Sequence, residues 1–153
     1  MSKSDQELIA AIKHAFDELV PFNKVLGTRI QSIEEGRPTV RFEMREELIG
    51  NYLRGNLHGG IISGVMDATG GLTAFLGAQE RMNHESLEVR KEQFGKLGTI
   101  DLRIDYLRPG LGKWFDATGH ILRAGNKIAV VRIELHNDEG ELIAVGTGAY
   151  VVA

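Results

Sequence analysis

The sequence predicts an α+β domain in which a curled antiparallel β-sheet wraps a long central helix. Three observations predict it. Residues 26–44 and 99–152 place apolar side chains at every second position, with short turns between the runs, which is the pattern of half-buried antiparallel strands. Residues 60–76, between these regions, carry apolar residues on nearly every side, the mark of a helix buried all round. The chain has 153 residues, 42% of them apolar and 25% charged, the size and composition of one globular domain spanning 1–153. A sheet curled around the helix is the simplest way to bury it.

Ser4 and Glu7 have the S-x-x-E spacing of a capping box, so a helix is expected over 5–20. Leu8, Ile12, Ala15, Phe16, Leu19 and Val20 form its apolar face, which stops at Pro21. From Leu26 the period becomes two: Leu26, Thr28 and Ile30, a turn at Glu34-Glu35-Gly36, then Val40, Phe42 and Met44 read as a hairpin. Residues 46–60 have no sustained period and contain four glycines, so a loop is expected there. The central helix follows over 59–78. Gly60, Ser63, Gly64, Asp67, Gly70, Gly71 and Ala74 run along it as a strip that would let another backbone approach. Residues 79–97 read as an exposed polar insertion anchored by Leu87, Phe94 and Leu97. Four alternating runs then predict a four-strand meander: 99–106, 115–121, 129–135 and 141–152.

Composition narrows the function. The net charge of −3 argues against a nucleic-acid partner. No uninterrupted apolar run reaches the roughly 18 residues of a membrane span, and MSKSDQELIA has no signal-peptide core, so a cytoplasmic protein without a membrane partner is expected. The absence of cysteine excludes disulfides and thiolate chemistry. His14, His84, His120 and His136 are scattered without ligand spacing, so no metal site is expected. Neither a phosphate-binding G-x-x-x-x-G-K-[ST] loop nor a dinucleotide G-x-G-x-x-G fingerprint occurs, and Ser63 lacks the G-x-S-x-G setting of a hydrolase nucleophile.

Two features could carry chemistry. Asp67 is the one acid between Glu47 and Glu80 and sits in the most apolar stretch of the chain, where a carboxylate needs a partner or a task. It is either a capped structural acid or a reactive group. His58-Gly59-Gly60 opens the same helix, whose first N–H groups have no intrahelical partners and could polarise a carbonyl; alternatively the glycines only permit a tight turn. His58 could orient a substrate group or simply hold the loop by hydrogen bonding, and the holding role is the favoured one for its side chain. Arg108, Arg123 and Lys127 lie at turns, where they could meet phosphates or simply be solvated.

The combination of His58-Gly59-Gly60, six residues, Asp67, and a later strand ending Tyr106-Leu107-Arg108-Pro109-Gly110 resembles the hotdog-fold acyl-CoA thioesterases of the phenylacetic-acid-pathway type. The closer likeness is to the bacterial YigI-like branch of that family, which implies medium- or long-chain acyl-CoA substrates. The resemblance implies that Asp67 is nucleophile or general base, that the Gly59 amide polarises the thioester carbonyl, and that a hydroxyl at Thr99 orients the water. It implies no cofactor beyond the coenzyme A of the substrate. The family's carbonyl-contacting asparagine falls on Tyr52 here, leaving Asn51 and Asn56 as candidates for that role. An acyl tail needs an apolar slot beside the carboxylate, for which Met66, Leu87 and Phe94 are candidate walls.

Gly59 and Asp67 are eight residues apart on one helix, about 12 Å along its axis at 1.5 Å per residue, so one thioester cannot reach both in the same chain. A homodimer with shared active sites is therefore expected, and the resemblance implies that dimers pair into a homotetramer. Two other functions fit the same pattern: a hotdog-fold dehydratase or hydratase, which would need His58 as much as Asp67, and a non-catalytic acyl-CoA binder.

Overall fold

The computed structural model describes residues 1–153 and contains the expected layers: a six-stranded antiparallel sheet curled around one long helix. The N-terminal helix, α1 (Lys3–His14), begins two residues earlier than the Ser4–Glu7 spacing implies. Its capping box is Ser2 with Asp5: the Asp5 N–H donates to Ser2 Oγ and the Ser2 N–H donates to Asp5 Oδ2, each at 3.1 Å. Starting there lets Asp5 also accept from Arg90 Nη1 at 3.0 Å. The helix does not continue unbroken to residue 20. Ala15–Leu19 widen into a π turn, and Pro21 opens a separate short helix, α2 (Pro21–Leu26). The wider turn points Asp17 inward, where its carboxylate accepts from the Ile30 N–H and from Lys13 Nζ, both at 2.8 Å, and it leaves Leu19 62% exposed. Leu26 accordingly ends a helix rather than starting a strand.

The hairpin is β1 (Arg29–Glu34) and β2 (Arg37–Glu43), closed by Glu35 and Gly36, both with positive φ as a two-residue hairpin turn requires. Residues 46–57 are more ordered than a plain loop. They form a single 3-10 turn (Glu46–Leu48) and a two-strand ladder, β3 (Ile49–Asn51) with β4 (Asn56–Leu57). This ladder delivers the chain to α3 (Gly59–Gln79), the central helix. After it come α4 (Leu87–Glu92), a 3-10 turn (Gln93–Lys96), β5 (Gly98–Tyr106), β6 (Trp114–Ala124), β7 (Ile128–Asn137) and β8 (Leu142–Val151).

The four-strand meander is corrected in one respect. The strand order is β1-β2-β6-β7-β8-β5, so β5 pairs with β8 and stands at an edge, while β6 pairs with β2. Alternation shows which face of a strand is buried but not which strand lies beside it. Residues 107–113 are a crossing segment, not a tight turn. The Leu107 and Arg108 N–H groups donate to Ile143 O, and Gly110 O accepts from the Leu57 N–H, on the way from one sheet edge to the interior.

Helix α3 lies across the concave face. Ile62, Val65, Met66 and Ala74 pack with Phe42, Phe115, Val131, Ile133 and Leu135 on the sheet side. Leu72, Phe75 and Leu76 pack with Leu8, Ile12, Phe16, Ile30 and Val40 on the other, beneath α1. By length and hydropathy α3 could cross a bilayer, but these two layers take up its apolar surface. The segment 79–97 is not simply an exposed excursion. Phe94 meets Phe75 edge-on at 5.5 Å, and Arg90, only 3% exposed, donates from Nε to Gln79 Oε1 at 3.1 Å as well as to Asp5. Its polarity reads as surface in the sequence because an arginine buried against Gln79 and Asp5 looks no different from a solvated one.

Candidate active site

Asp67 sits midway along α3, half-buried, where the helix passes the start of β5 and the end of β8. Thr99 on β5 and Tyr150 on β8 are direct cross-strand partners, so both side chains leave the sheet on the same face. Both hydroxyls donate to one oxygen of the Asp67 carboxylate: Thr99 Oγ1 to Oδ1 at 2.9 Å and the Tyr150 hydroxyl to Oδ1 at 3.2 Å. No donor within the chain reaches Oδ2. Asp67 is thus held at one oxygen and open at the other.

Burial, followed by the neighbouring Asp67 carboxylate, pushes the Tyr150 phenol well above the usual tyrosine range, so it stays a protonated donor. Room for the ring comes from two glycines. A Cβ at Gly70 would overlap the Tyr150 hydroxyl, and one at Gly148 would stand 2.7 Å from Cε2. The small-residue strip on α3 is therefore partly filled within the chain: Gly70 by Tyr150, Gly71 by Leu97, and Gly64 by Phe22 and Leu26.

At the N-terminus of α3, His58 is the N-cap and its Nδ1 accepts from the Gly60 N–H at 2.8 Å. The His58 ring is thereby tied to the first turn of α3. The Gly60 amide is thereby occupied, whereas the Gly59 N–H makes no hydrogen bond within the chain. Gly59 O accepts from the Tyr106 hydroxyl at 3.2 Å, which ties the far end of β5 to the helix start. Strand β5 thus runs antiparallel to α3, with Thr99 at Asp67 and Tyr106 at Gly59.

A cavity of about 300 Å³ opens beside Asp67, walled by Phe16, Val20, Leu72, Phe94 and Leu97. Of the expected walls only Phe94 lines it. Met66 is fully buried on the sheet side of α3, its Cε 3.0 Å from where a Cβ of Gly146 would stand, because one residue along a helix turns by about 100° and faces away from Asp67. Leu87, the first residue of α4, packs against the apolar cluster beneath α1 without reaching the cavity.

Other expected residues lie apart from Asp67. Asn51 is exposed and its Oδ1 caps the 51–54 turn, accepting from the Leu53 and Arg54 N–H groups at 3.1 and 3.3 Å. Asn56 donates from Nδ2 to Leu57 O at 3.3 Å. Tyr52, at the family's asparagine position, is 87% exposed. Arg108 donates to Leu142 O at 2.9 Å at one end of the sheet, and Arg123 and Lys127 flank the β6–β7 turn at the other. Tyr150 was not read from the sequence; an aromatic in a strand of small residues (Gly146, Gly148, Ala149) is the signal that could have found it.

The thioesterase superfamily matches residues 54–144. The medium/long-chain acyl-CoA thioesterase YigI of Escherichia coli is 37% identical over 147 residues, covering 96% of this chain and 95% of that protein. A crystal structure from Shewanella oneidensis, related to the thioesterase superfamily, superposes with a TM-score of 0.95 at 42% identity over the whole of both chains. A Haemophilus influenzae thioesterase, 19% identical with a TM-score of 0.73 over 92% of this chain and 90% of that one, shares the fold. With the sheet, the helix and the sequence in agreement over nearly its full length, this chain belongs to the thioesterase superfamily.

Proposed function

We propose that the protein hydrolyses medium- or long-chain acyl-CoA thioesters to the free acid and coenzyme A, as a cytoplasmic enzyme of fatty-acid metabolism that uses no further cofactor. The observation that carries this reading is a carboxylate pinned through one oxygen, free at the other, at the mouth of an apolar slot. Asp67 Oδ2 acts on the thioester as nucleophile or as general base. In the general-base route it takes a proton from water, the water oxygen bonds to the carbonyl carbon, the C–S bond breaks, and the thiolate leaves with that proton. A backbone N–H aimed at the carbonyl oxygen stabilises the charge that builds there, and the Gly59 amide is the free donor of that kind. His58, with Nδ1 engaged by Gly60, is a holding residue in this scheme, which favours hydrolysis over a His-dependent dehydratase.

The active unit in this proposal is a homodimer. One side of β5 has no partner strand, and Ile100, Tyr106 and Leu107 are exposed along or beside it. Antiparallel pairing of β5 with its copy, about a two-fold axis between Leu102 and Arg103, matches Thr99 with the partner's Tyr106. Since Thr99 marks Asp67 and Tyr106 marks Gly59, each Asp67 then faces the partner's Gly59. The same operation brings the partner's Arg108 to the sheet end that carries Arg123 and Lys127, where they meet the phosphates of coenzyme A.

Thiol release from acetyl- through palmitoyl-CoA, by wild type and Asp67→Asn, tests the reading. Hydrolysis of the longer substrates that is lost in the variant is expected; a wild type inactive across the whole panel overturns it.

A further inference from the structure

Tyr150 lies beyond the residues matched by the superfamily, is 1% exposed, and is the largest fully buried side chain of the domain. The scheme above gives it no role beyond its bond to Asp67. Resting on the thioesterase reading, we infer that Tyr150 is a positioning residue that selects Oδ2 as the reacting oxygen of Asp67 and keeps the carboxylate oriented as its charge changes through the reaction.

The geometry carries this in two steps. A carboxylate has two equivalent oxygens until its surroundings distinguish them. Here both hydroxyls fall on Oδ1, at 2.9 Å from Thr99 and 3.2 Å from Tyr150, so Oδ2 alone keeps its lone pairs for water or carbonyl carbon. Thr99 sits beside a bulge in β5, where Thr99 and Asp101 pair with adjacent residues of β8 and Ile100 is unpaired. Tyr150 is fixed instead by the interior. Its ring fills the space that Gly70 and Gly148 leave open, and the β7–β8–β5 ladder holds its backbone on both sides. Of the two donors it is the one whose position packing determines.

The second step concerns what happens when Asp67 loses its charge, either by taking the proton from water or by being acylated. A phenol aimed only at the carboxylate would then be left with a weakened partner in a buried site. Tyr150 has an alternative: its hydroxyl is also 3.3 Å from the main-chain oxygen of Asp67. It can turn from Oδ1 to that carbonyl and back through a small rotation of the O–H, satisfied at every stage. Phenylalanine would fill the same space without either bond.

The test compares wild type, Tyr150→Phe, Asp67→Asn and the double variant, by kcat and KM on octanoyl-CoA and by thermal midpoint. Loss of a hydrogen bond to a charged group predicts a fall in kcat of about 10- to 100-fold for Tyr150→Phe, with KM within about threefold. In the Asp67→Asn background the same change should alter the residual rate by less than about twofold, because its effect runs through Asp67. A kcat for Tyr150→Phe within about twofold of wild type overturns the inference, as does an equal loss in both backgrounds. If Tyr150→Phe does not fold, Gly70→Ala, whose methyl would overlap the hydroxyl and press on the ring so that the phenol moves off Asp67, should show the same kcat-selective loss, and full activity in that variant overturns the inference. A wild type without thioesterase activity overturns both the functional reading and the positioning role, whereas an active wild type with an unimpaired Tyr150→Phe overturns the positioning role alone, so the two failures are distinct.

Discussion

Thr99 and Tyr150 face each other across β5 and β8, and their hydroxyls meet on the same oxygen of Asp67. Two strands that are far apart in the chain thereby converge on one side chain of the central helix. The site is a product of the sheet order, since β5 lies beside β8 and not beside β6.

The first expectation concerns the carboxylate itself. Asp67→Asn keeps size and shape but removes the basic oxygen, so turnover should fall at least about a hundredfold while the thermal midpoint stays close to wild type. Thr99→Ala removes one of two donors and should cost less, roughly tenfold. Steady-state kinetics on one substrate ranks the two. A Thr99→Ala loss as deep as that of Asp67→Asn would give Thr99 a part in the chemistry itself.

The slot sets the second expectation. Phe16, Val20, Leu72, Phe94 and Leu97 give it a largely apolar wall, so kcat/KM should rise from acetyl- to about octanoyl-CoA. Each buried methylene contributes up to about 0.8 kcal/mol, roughly a factor of four. Phe94→Ala, which widens the slot where it meets Phe75, should move the optimum to longer chains. A preference for acetyl-CoA or for an aryl thioester would show that the tail binds elsewhere.

How far the sequence reveals this site depends on the range of each interaction. Asp67 stands out because a lone acid in an apolar helix is costly wherever the helix packs. His58 and Gly59 stand out because helix termini have local signatures. Tyr150 does not, because its task depends on β8 lying next to β5, and alternation reports burial without naming the neighbour. Met66 illustrates the other limit: the position beside Asp67 in sequence is turned about 100° around the helix, towards the sheet, and packs against Gly146. The π turn at Ala15–Leu19 is equally silent, since the apolar spacing that reads as one continuous helix also accommodates the extra residue that turns Asp17 inward.

Alkaline stability supplies a third expectation. Tyr150 has its folded pKa raised above the unfolded value near 10.0, so its contribution is fully present below that pH and is lost as pH rises towards the folded value, because the unfolded chain gives up the proton first. The thermal midpoint of wild type should therefore fall more steeply above about pH 10 than that of Tyr150→Phe. Parallel curves for the two proteins would mean that Tyr150 titrates as an ordinary phenol.

The shared site is the central claim, and two inactive variants test it together. Gly59 is the first residue of α3 and follows His58 in an extended conformation (φ −64°, ψ 137°), so proline is tolerated there while deleting the N–H. Gly59→Pro and Asp67→Asn should each be folded and inactive. If every site takes Gly59 from one chain and Asp67 from the other, a mixed dimer holds one site with both defects and one with neither. Equal co-refolding makes about half the dimers mixed, so activity should return to about a quarter of wild type. Mixed dimers confirmed by native mass spectrometry that remain inactive would contradict the account and place Asp67 and its oxyanion donor within a single chain.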